Sequence, residues 1–167
     1  MIHYKSTIFI LAAVALGACS KQHGLGPNYS DYNPGKTPVI VTNAADYRPD
    51  PTVTTSLSGD SSITITLGLT GNSGRSLKEI TEVAGSTSYA AIQTSTTKFY
   101  NSAPIAAANN AVTFTTSIAE YFKHYPVSVA NPKATANVEL TNRFYFRVTL
   151  DDGTVVYPTP VRVLVLP

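Results

Sequence analysis

From position 63 the chain alternates. Ile63, Ile65, Leu67 and Leu69 are aliphatic, and Thr64, Thr66, Gly68 and Thr70 stand between them. A period of two sends alternate side chains to opposite faces of a strand, one face to bury and one to wet. Val112-Thr113-Phe114-Thr115 repeats the pattern, and so does Phe144-Tyr145-Phe146-Arg147-Val148-Thr149-Leu150. Residues 161–166 are apolar on both faces apart from Arg162, as a strand covered on both sides would be. Weaker strand signals run over 39–42, 53–58, 77–84 and 89–94. About seven or eight strands result, and two antiparallel sheets packed face to face satisfy such a pattern.

The connections agree with strands that lie side by side. Asp151-Asp152-Gly153 joins two strand-like runs, with glycine free to take the left-handed position, and predicts a hairpin. Gly71-Asn72-Ser73-Gly74 is a second tight connection. One stretch breaks the pattern. Ser117 followed by Glu120 is a capping box, and Tyr121, Phe122 and Tyr125 continue at helical spacing until Pro126 stops the run. The spacing predicts one short helix over 118–125, laying Ile118, Phe122 and Tyr125 on the sheet edge, with a further short turn starting at Asn131-Pro132. Pro158-Thr159-Pro160 interrupts the last strand. Proline removes ladder donors, so the break predicts an edge position or a switch between sheets.

The N-terminus follows different rules. After Lys5, residues 8–18 are apolar except for Gly17. A cation followed by about eleven apolar residues has the form of a secretory signal and falls short of the roughly 20 needed to span a bilayer. Leu16-Gly17-Ala18-Cys19 resembles the lipobox of bacterial lipoproteins: an aliphatic residue, two small ones, then the cysteine. The resemblance implies that Leu16, Gly17 and Ala18 are read by the signal peptidase. It also implies that Cys19 carries a diacylglycerol thioether, and that the freed amine is acylated after cleavage. One acyl chain holds a protein only marginally, at about 0.8 kcal/mol per buried methylene, whereas three would make attachment permanent.

Residues 20–35 are rich in Gly, Pro, Asn and Ser, lack apolar periodicity, and form a linker of roughly 20–25 Å mean span. The expected organisation is therefore a signal over 1–18, a lipidated tether over 19–37 and one domain over 38–167. By the usual enterobacterial sorting pattern, Ser20 after the cysteine implies the outer membrane, a cell-envelope location. No acidic stretch of the kind some Bacteroidetes lipoproteins use for surface export follows Cys19.

The domain resembles an immunoglobulin-like β-sandwich. It has no paired cysteines and no tryptophan, which excludes the antibody subfamily. Arg143-Phe144-Tyr145-Phe146-Arg147-Val148-Thr149-Leu150-Asp151-Asp152-Gly153-Thr154, together with the lipobox, resembles small Bacteroidetes-type lipoproteins. The expected fold class is all-β.

Composition narrows the function. The 167 residues carry 12 Lys and Arg against 10 Asp and Glu. Loss of Lys5 with the signal leaves the remainder closer still to neutral. A nucleic-acid binder needs a concentrated cationic stripe, so none is expected as partner. One cysteine excludes a disulfide framework and a multi-cysteine zinc site. With 22 Thr and 15 Ser the polar faces are built from hydroxyls more than from charges.

Motifs of chemistry are weak. Gly35-Lys36-Thr37 has the tail of a P-loop but Ser30 where its first glycine belongs. His124 sits at a helix end, where a cation is favoured. Asp151 and Asp152 fit turn formation, and alternation would separate their side chains. Glu79 and Glu82 would lie on opposite faces of a strand. No catalytic residue, metal ligand or cofactor is nominated. The best surface is Arg143, Tyr145 and Arg147, which alternation places opposite Phe144 and Phe146. Cations flanking an aromatic ring can hold an anionic or planar ligand; the alternative is a solvated face whose Arg stems cover the tyrosine. The expectation is a non-catalytic lipoprotein, held to the bilayer through acylated Cys19. It would work as a structural or interaction module toward an envelope protein or glycan. The alternative is a glycan- or peptide-binding accessory lipoprotein.

Overall fold

A computed structural model describes residues 39–47, 50–71, 74–95 and 99–167. All of them belong to a compact unit spanning Asp31–Pro167. The predicted signal and tether, with Leu16, Gly17, Ala18 and Cys19, lie outside the described residues.

The chain is mostly strands. They are β1 (Val39–Val41), β2 (Thr52–Ser56), β3 (Ser62–Leu69), β4 (Leu77–Ser86), β5 (Ile105–Ala106), β6 (Ala111–Ser117), β7 (Val138–Glu139), β8 (Arg143–Leu150), β9 (Val155–Val156) and β10 (Arg162–Leu166), with short helices α1 (Ala90–Gln93) and α2 (Ile118–His124). Three sheets form, with strand orders β1-β3-β6, β2-β10-β7 and β5-β4-β8-β9. Every pairing is antiparallel except that of β2 with β10. Among the described residues no helix is long and apolar enough to cross a membrane.

Alternation decides what is buried. Ile63, Ile65 and Leu67 of β3 face inward against Val112 and Phe114 of β6 and Phe144, Phe146 and Val148 of β8, all in one cluster. Phe114 meets Phe144 at 5.4 Å and Phe146 at 5.9 Å, so the inner faces of two sheets interlock through aromatic rings. Burying a side chain of this size contributes about 1.5–3 kcal/mol.

The predicted hairpin forms. Leu150 N–H donates to Thr154 O at 2.9 Å, and Gly153 takes φ +84°. The proline break is a switch between sheets: β9 pairs with β8, and beyond it β10 pairs with β2 and β7.

Helix α2 starts where the capping box puts it, with Ser117 Oγ accepting from Glu120 N–H at 3.2 Å. Its buried residue is Tyr121, while Ile118, Phe122 and Tyr125 are half-buried against the same core. Tyr121 turns inward because its ring meets Phe144 at 6.2 Å. Near Asn131 the chain makes a tight turn, with Ser128 and Asn131 exchanging backbone hydrogen bonds of 2.9 and 3.2 Å.

Two expectations are corrected. The strand expected over 89–94 is helix α1: Ala90 and Ala91 favour helix, Ser88 Oγ accepts from Ala90 N–H, and Thr94 Oγ1 donates to Ala90 O. Strand β4 does not alternate strictly. Bulges between Leu77 and Glu79 and between Ile80 and Glu82 make Leu77, Ile80 and Val83 its inward residues.

Candidate functional site

The predicted surface on β8 is built as alternation requires and then covered. Arg143, Tyr145 and Arg147 stand opposite Phe144 and Phe146. Helix α1 lies over the middle of them, however, and Tyr145 is only 2% exposed. Its ring packs with Ala84 and Ile92 and edge-on to Tyr89 at 4.7 Å. Arg143 Nη1 is bound to Asp50 Oδ2 at 2.7 Å, and Arg147 Nη1 to Glu82 Oε1 at 3.2 Å. Tyr145 is therefore a buried residue of a second, small core. The expected open platform is corrected for a local reason: four helical residues that were expected to be a strand form its lid.

The carboxylates are spent on structure. The bulges in β4 put Glu79 opposite Thr149 and Glu82 opposite Arg147, so both face outward, against the expectation of opposite faces. Asp151 and Asp152 do not diverge either. The turn aims both at Arg75, with Nε 3.1 Å from Asp151 Oδ1 and Nη2 on Asp152 Oδ2. Arg162 Nη1 holds Glu139 Oε1 at 2.7 Å, and Lys123 holds Glu120. Among the described residues no three His, Cys, Asp or Glu side chains converge as metal ligands would.

His124, in the last turn of α2, stacks on Tyr100 with ring centroids 4.0 Å apart and planes 22° apart. This is a face contact, not the in-plane hydrogen bond of a base poised on a hydroxyl. Tyr100 instead shares a 2.6 Å hydrogen bond with Thr116 Oγ1. Burial pushes the Tyr100 phenol up to about 12, with the Thr116 bond opposing. At neutral pH it keeps its proton.

Among the described residues, a cavity lies at the sheet switch. A cavity of about 420 Å³ opens between β1 on one side and Pro51, Tyr89 and the Pro158-Thr159-Pro160 bridge on the other, with Tyr47 and Asp50 beside it. The bridge exists because β8 and the closing chain part company. Val148 pairs with Val156 and Phe144 with Val161. Between these contacts the closing chain carries one residue more than β8, and its two prolines lack the N–H a ladder needs. Tyr89 Oη reaches Pro158 O at 3.4 Å and ties α1 to the bridge.

The opposite wall is a strand edge. Thr42 N–H donates to Thr66 O at 2.8 Å, so Thr42 and Thr66 are a hydrogen-bonded pair of the ladder. Antiparallel alternation makes Ile40 and Gly68 the next such pair and turns the N–H and C=O groups of Val39 and Val41 away from β3. Tyr47 Oη donates to Val41 O on that edge. Val39 and Val41 are only 3% and 2% exposed, so this edge is covered. Sequence reasoning missed this groove. Its one signal was the proline break, which marks an interrupted ladder without saying what faces the gap.

Comparison with protein-family models gives no match, and comparison with curated proteins gives none either.

Proposed function

We propose that the chain is a lipid-anchored protein of the cell envelope, bound to the outer membrane through Cys19. Its immunoglobulin-like β-sandwich acts by surface contact and without catalysis. The strand orders β1-β3-β6 and β5-β4-β8-β9 correspond to the A-B-E and C′-C-F-G orders of that sandwich, which supports the finer fold assignment. The lipobox residues Leu16, Gly17, Ala18 and Cys19, at the end of an apolar run, support the anchor. One contrast carries the interaction role. The charged groups of the predicted faces are held in ion pairs, while a cavity of about 420 Å³ lined by β1, Tyr47, Tyr89 and three prolines lies at the sheet switch.

The anchor is tested by metabolic labelling with a fatty acid in a bacterial host. The wild-type chain should be labelled and should partition into detergent. Cys19→Ala should lose the label and accumulate as uncleaved precursor. Label retained on Cys19→Ala would refute the anchor. Turnover of a hydrolase substrate by the full chain, abolished by His124→Ala or Glu82→Gln, would refute the non-catalytic role.

A further inference from the structure

We propose that the turn following α2 is a membrane-contacting tip, which sets Val127, Val129 and Ala130 into the head-group boundary of an anionic bilayer. The proposal deepens the surface-contact role above and rests on the anchor at Cys19, which brings the bilayer within reach. Residues 126–130 are all exposed, Val127 by about half and Val129 completely. Ser128 and Asn131 exchange backbone hydrogen bonds of 2.9 and 3.2 Å, which puts Val129 and Ala130 at the apex of a tight turn. Turn chemistry favours Gly, Asn, Asp or Ser at such an apex, so local conformation does not call for valine there. The valines cannot collapse inward either. Asn131 is buried and commits both ends of its amide: Oδ1 accepts from Tyr121 Oη at 2.9 Å, and Nδ2 donates to Tyr125 O at 2.7 Å. Tyr121 belongs to the main core, so the tip is fixed to that core with its apolar side outward.

Shape and charge specify the occupant. A stable protein interface buries about 800 Å² on each partner, far more than a convex two-residue apex offers. A bilayer instead closes around a small apolar protrusion and gains with every buried methyl group. Between Glu120 and Glu139 the chain carries no carboxylate and two lysines, Lys123 and Lys133, both exposed. Glu120 is bound to Lys123, and Glu139 to Arg162 Nη1 at 2.7 Å, so both flanking acids are neutralised. Lysines beside an apolar tip suit anionic head groups. The twenty residues from Ser20 to Val39 span at most about 70 Å, which allows the domain to lie on the membrane that holds Cys19.

The test uses the full chain, ¹⁵N-labelled, in nanodiscs of phosphatidylethanolamine and phosphatidylglycerol whose lipids carry a nitroxide near the top of the acyl chain. The expected result is paramagnetic broadening of the 127–131 amides. Gly71 and Gly153 should stay sharp, because they follow the far ends of β3 and β8, whereas α2 starts beside Ser62 and Tyr121 meets Asn142 just before β8. Val127→Ser with Val129→Ser should weaken the contact equilibrium about tenfold, as loss of two partly buried valines requires. Both positions are exposed, so the variant keeps its fold and its spectrum elsewhere. Silence at 127–131, equal broadening at Gly71 and Gly153, or an unchanged double variant would overturn the tip. So would shifts at 127–131 that grow with protein concentration at fixed lipid, because the tip would then dock on a second copy. The mass of the purified chain reads the anchor separately. A lipidated chain silent at 127–131 overturns the tip and leaves the anchor standing. A chain without lipid refutes the anchor, and broadening must then appear at 127–131 as the same nanodiscs are titrated to high concentration, or the tip falls too.

Discussion

Tyr121→Phe isolates one oxygen atom at the centre of the α2 region. The Tyr121 side chain is fully buried, and its ring packs edge-on to Phe122 at 4.9 Å and faces Phe144 at 6.2 Å. Phenylalanine keeps those contacts. What it removes is a hydroxyl that donates to Asn131 Oδ1 at 2.9 Å and accepts from Asn142 N–H at 3.1 Å. The two bonds contribute about 0.5–1.5 kcal/mol each, and a buried group left without a partner costs about 1–3 kcal/mol more. Asn131 is buried, and its amide nitrogen is already given to Tyr125 O at 2.7 Å, so its side chain cannot turn to find another donor without losing that bond. Asn142 is half-exposed, and water can reach part of what it loses. The expected cost is about 2–4 kcal/mol, or a fall in melting temperature of roughly 8–15 °C for a domain of this size. Urea unfolding followed by circular dichroism reads it, since the chain has no tryptophan. Asn131→Ala should cost a similar amount, and the double variant should fall short of the sum by about 1 kcal/mol or more. A Tyr121→Phe change below about 0.5 kcal/mol, with additive doubles, would show that the hydroxyl does not hold the loop to the helix.

Three further outcomes follow from burial and contact. Phe146→Ala should destabilise by about 3–5 kcal/mol in urea unfolding, because Phe146 is buried against Phe114 at 5.9 Å; a change below about 1 would contradict its place in the core. Gly85→Ala should cost about 2–4 kcal/mol, since a Cβ there lands on the Tyr125 ring, with the hydroxyl oxygen 2.9 Å away, and displaces the bond from Gly85 N–H to that oxygen. Pairing it with Tyr125→Ala should recover part of the loss, and simple additivity would show that the two do not collide. The third outcome is alkaline destabilisation. Burial raises the phenols of Tyr100, to about 12, and of Tyr121 and Tyr125 above the ordinary 10. The unfolded chain therefore ionises first. The stability these phenols contribute is complete below pH 10 and drains away between pH 10 and about 12. The urea midpoint should be level up to pH 9 and fall steeply by about pH 11; a level midpoint through that range would mean the three phenols are not buried.

The legible parts of the fold were those decided within a few residues. Alternation located β3, β6 and β8 and chose Phe144 and Phe146 as inward, because a half-buried strand writes its burial into its own period. The capping box at Ser117 and Glu120 was read for the same reason: its two partners are three positions apart. Where a tertiary neighbour decides, the reading failed. Tyr89-Ala90-Ala91-Ile92-Gln93-Thr94 carries Tyr, Ile and Thr, which favour strands, but Ser88 and Thr94 close it into a turn of helix. The bulges in β4 are likewise set by its pairing with β8, and they carried Glu79 and Glu82 to one face. Tyr145 shows how such errors propagate. Its face was correct and its exposure was not, because the α1 residues that cover it lie more than fifty positions away.

The groove illustrates the same division at the level of topology. A strand has two edges, and β10 commits both, one to β2 and one to β7. It cannot also pair with β8 along that length: the closing chain leaves β8 at Pro158-Thr159-Pro160, meets it once more where Phe144 and Val161 exchange backbone bonds of 2.9 and 2.8 Å, and then runs between β2 and β7. The gap lies between the Val148–Val156 and Phe144–Val161 contacts, where the closing chain has one residue more than β8 and two prolines without an N–H. What is particular to this sequence is how the gap is bounded. Exposed edges are commonly blunted by charge or bulges, or by being very short. Strand β1 is very short, three residues of valine and isoleucine with a tyrosine hydroxyl on one carbonyl. With Val39 and Val41 only 3% and 2% exposed, the edge of β1 is covered, so the β1-β3-β6 sheet does not end there in a bare ladder that could template another chain.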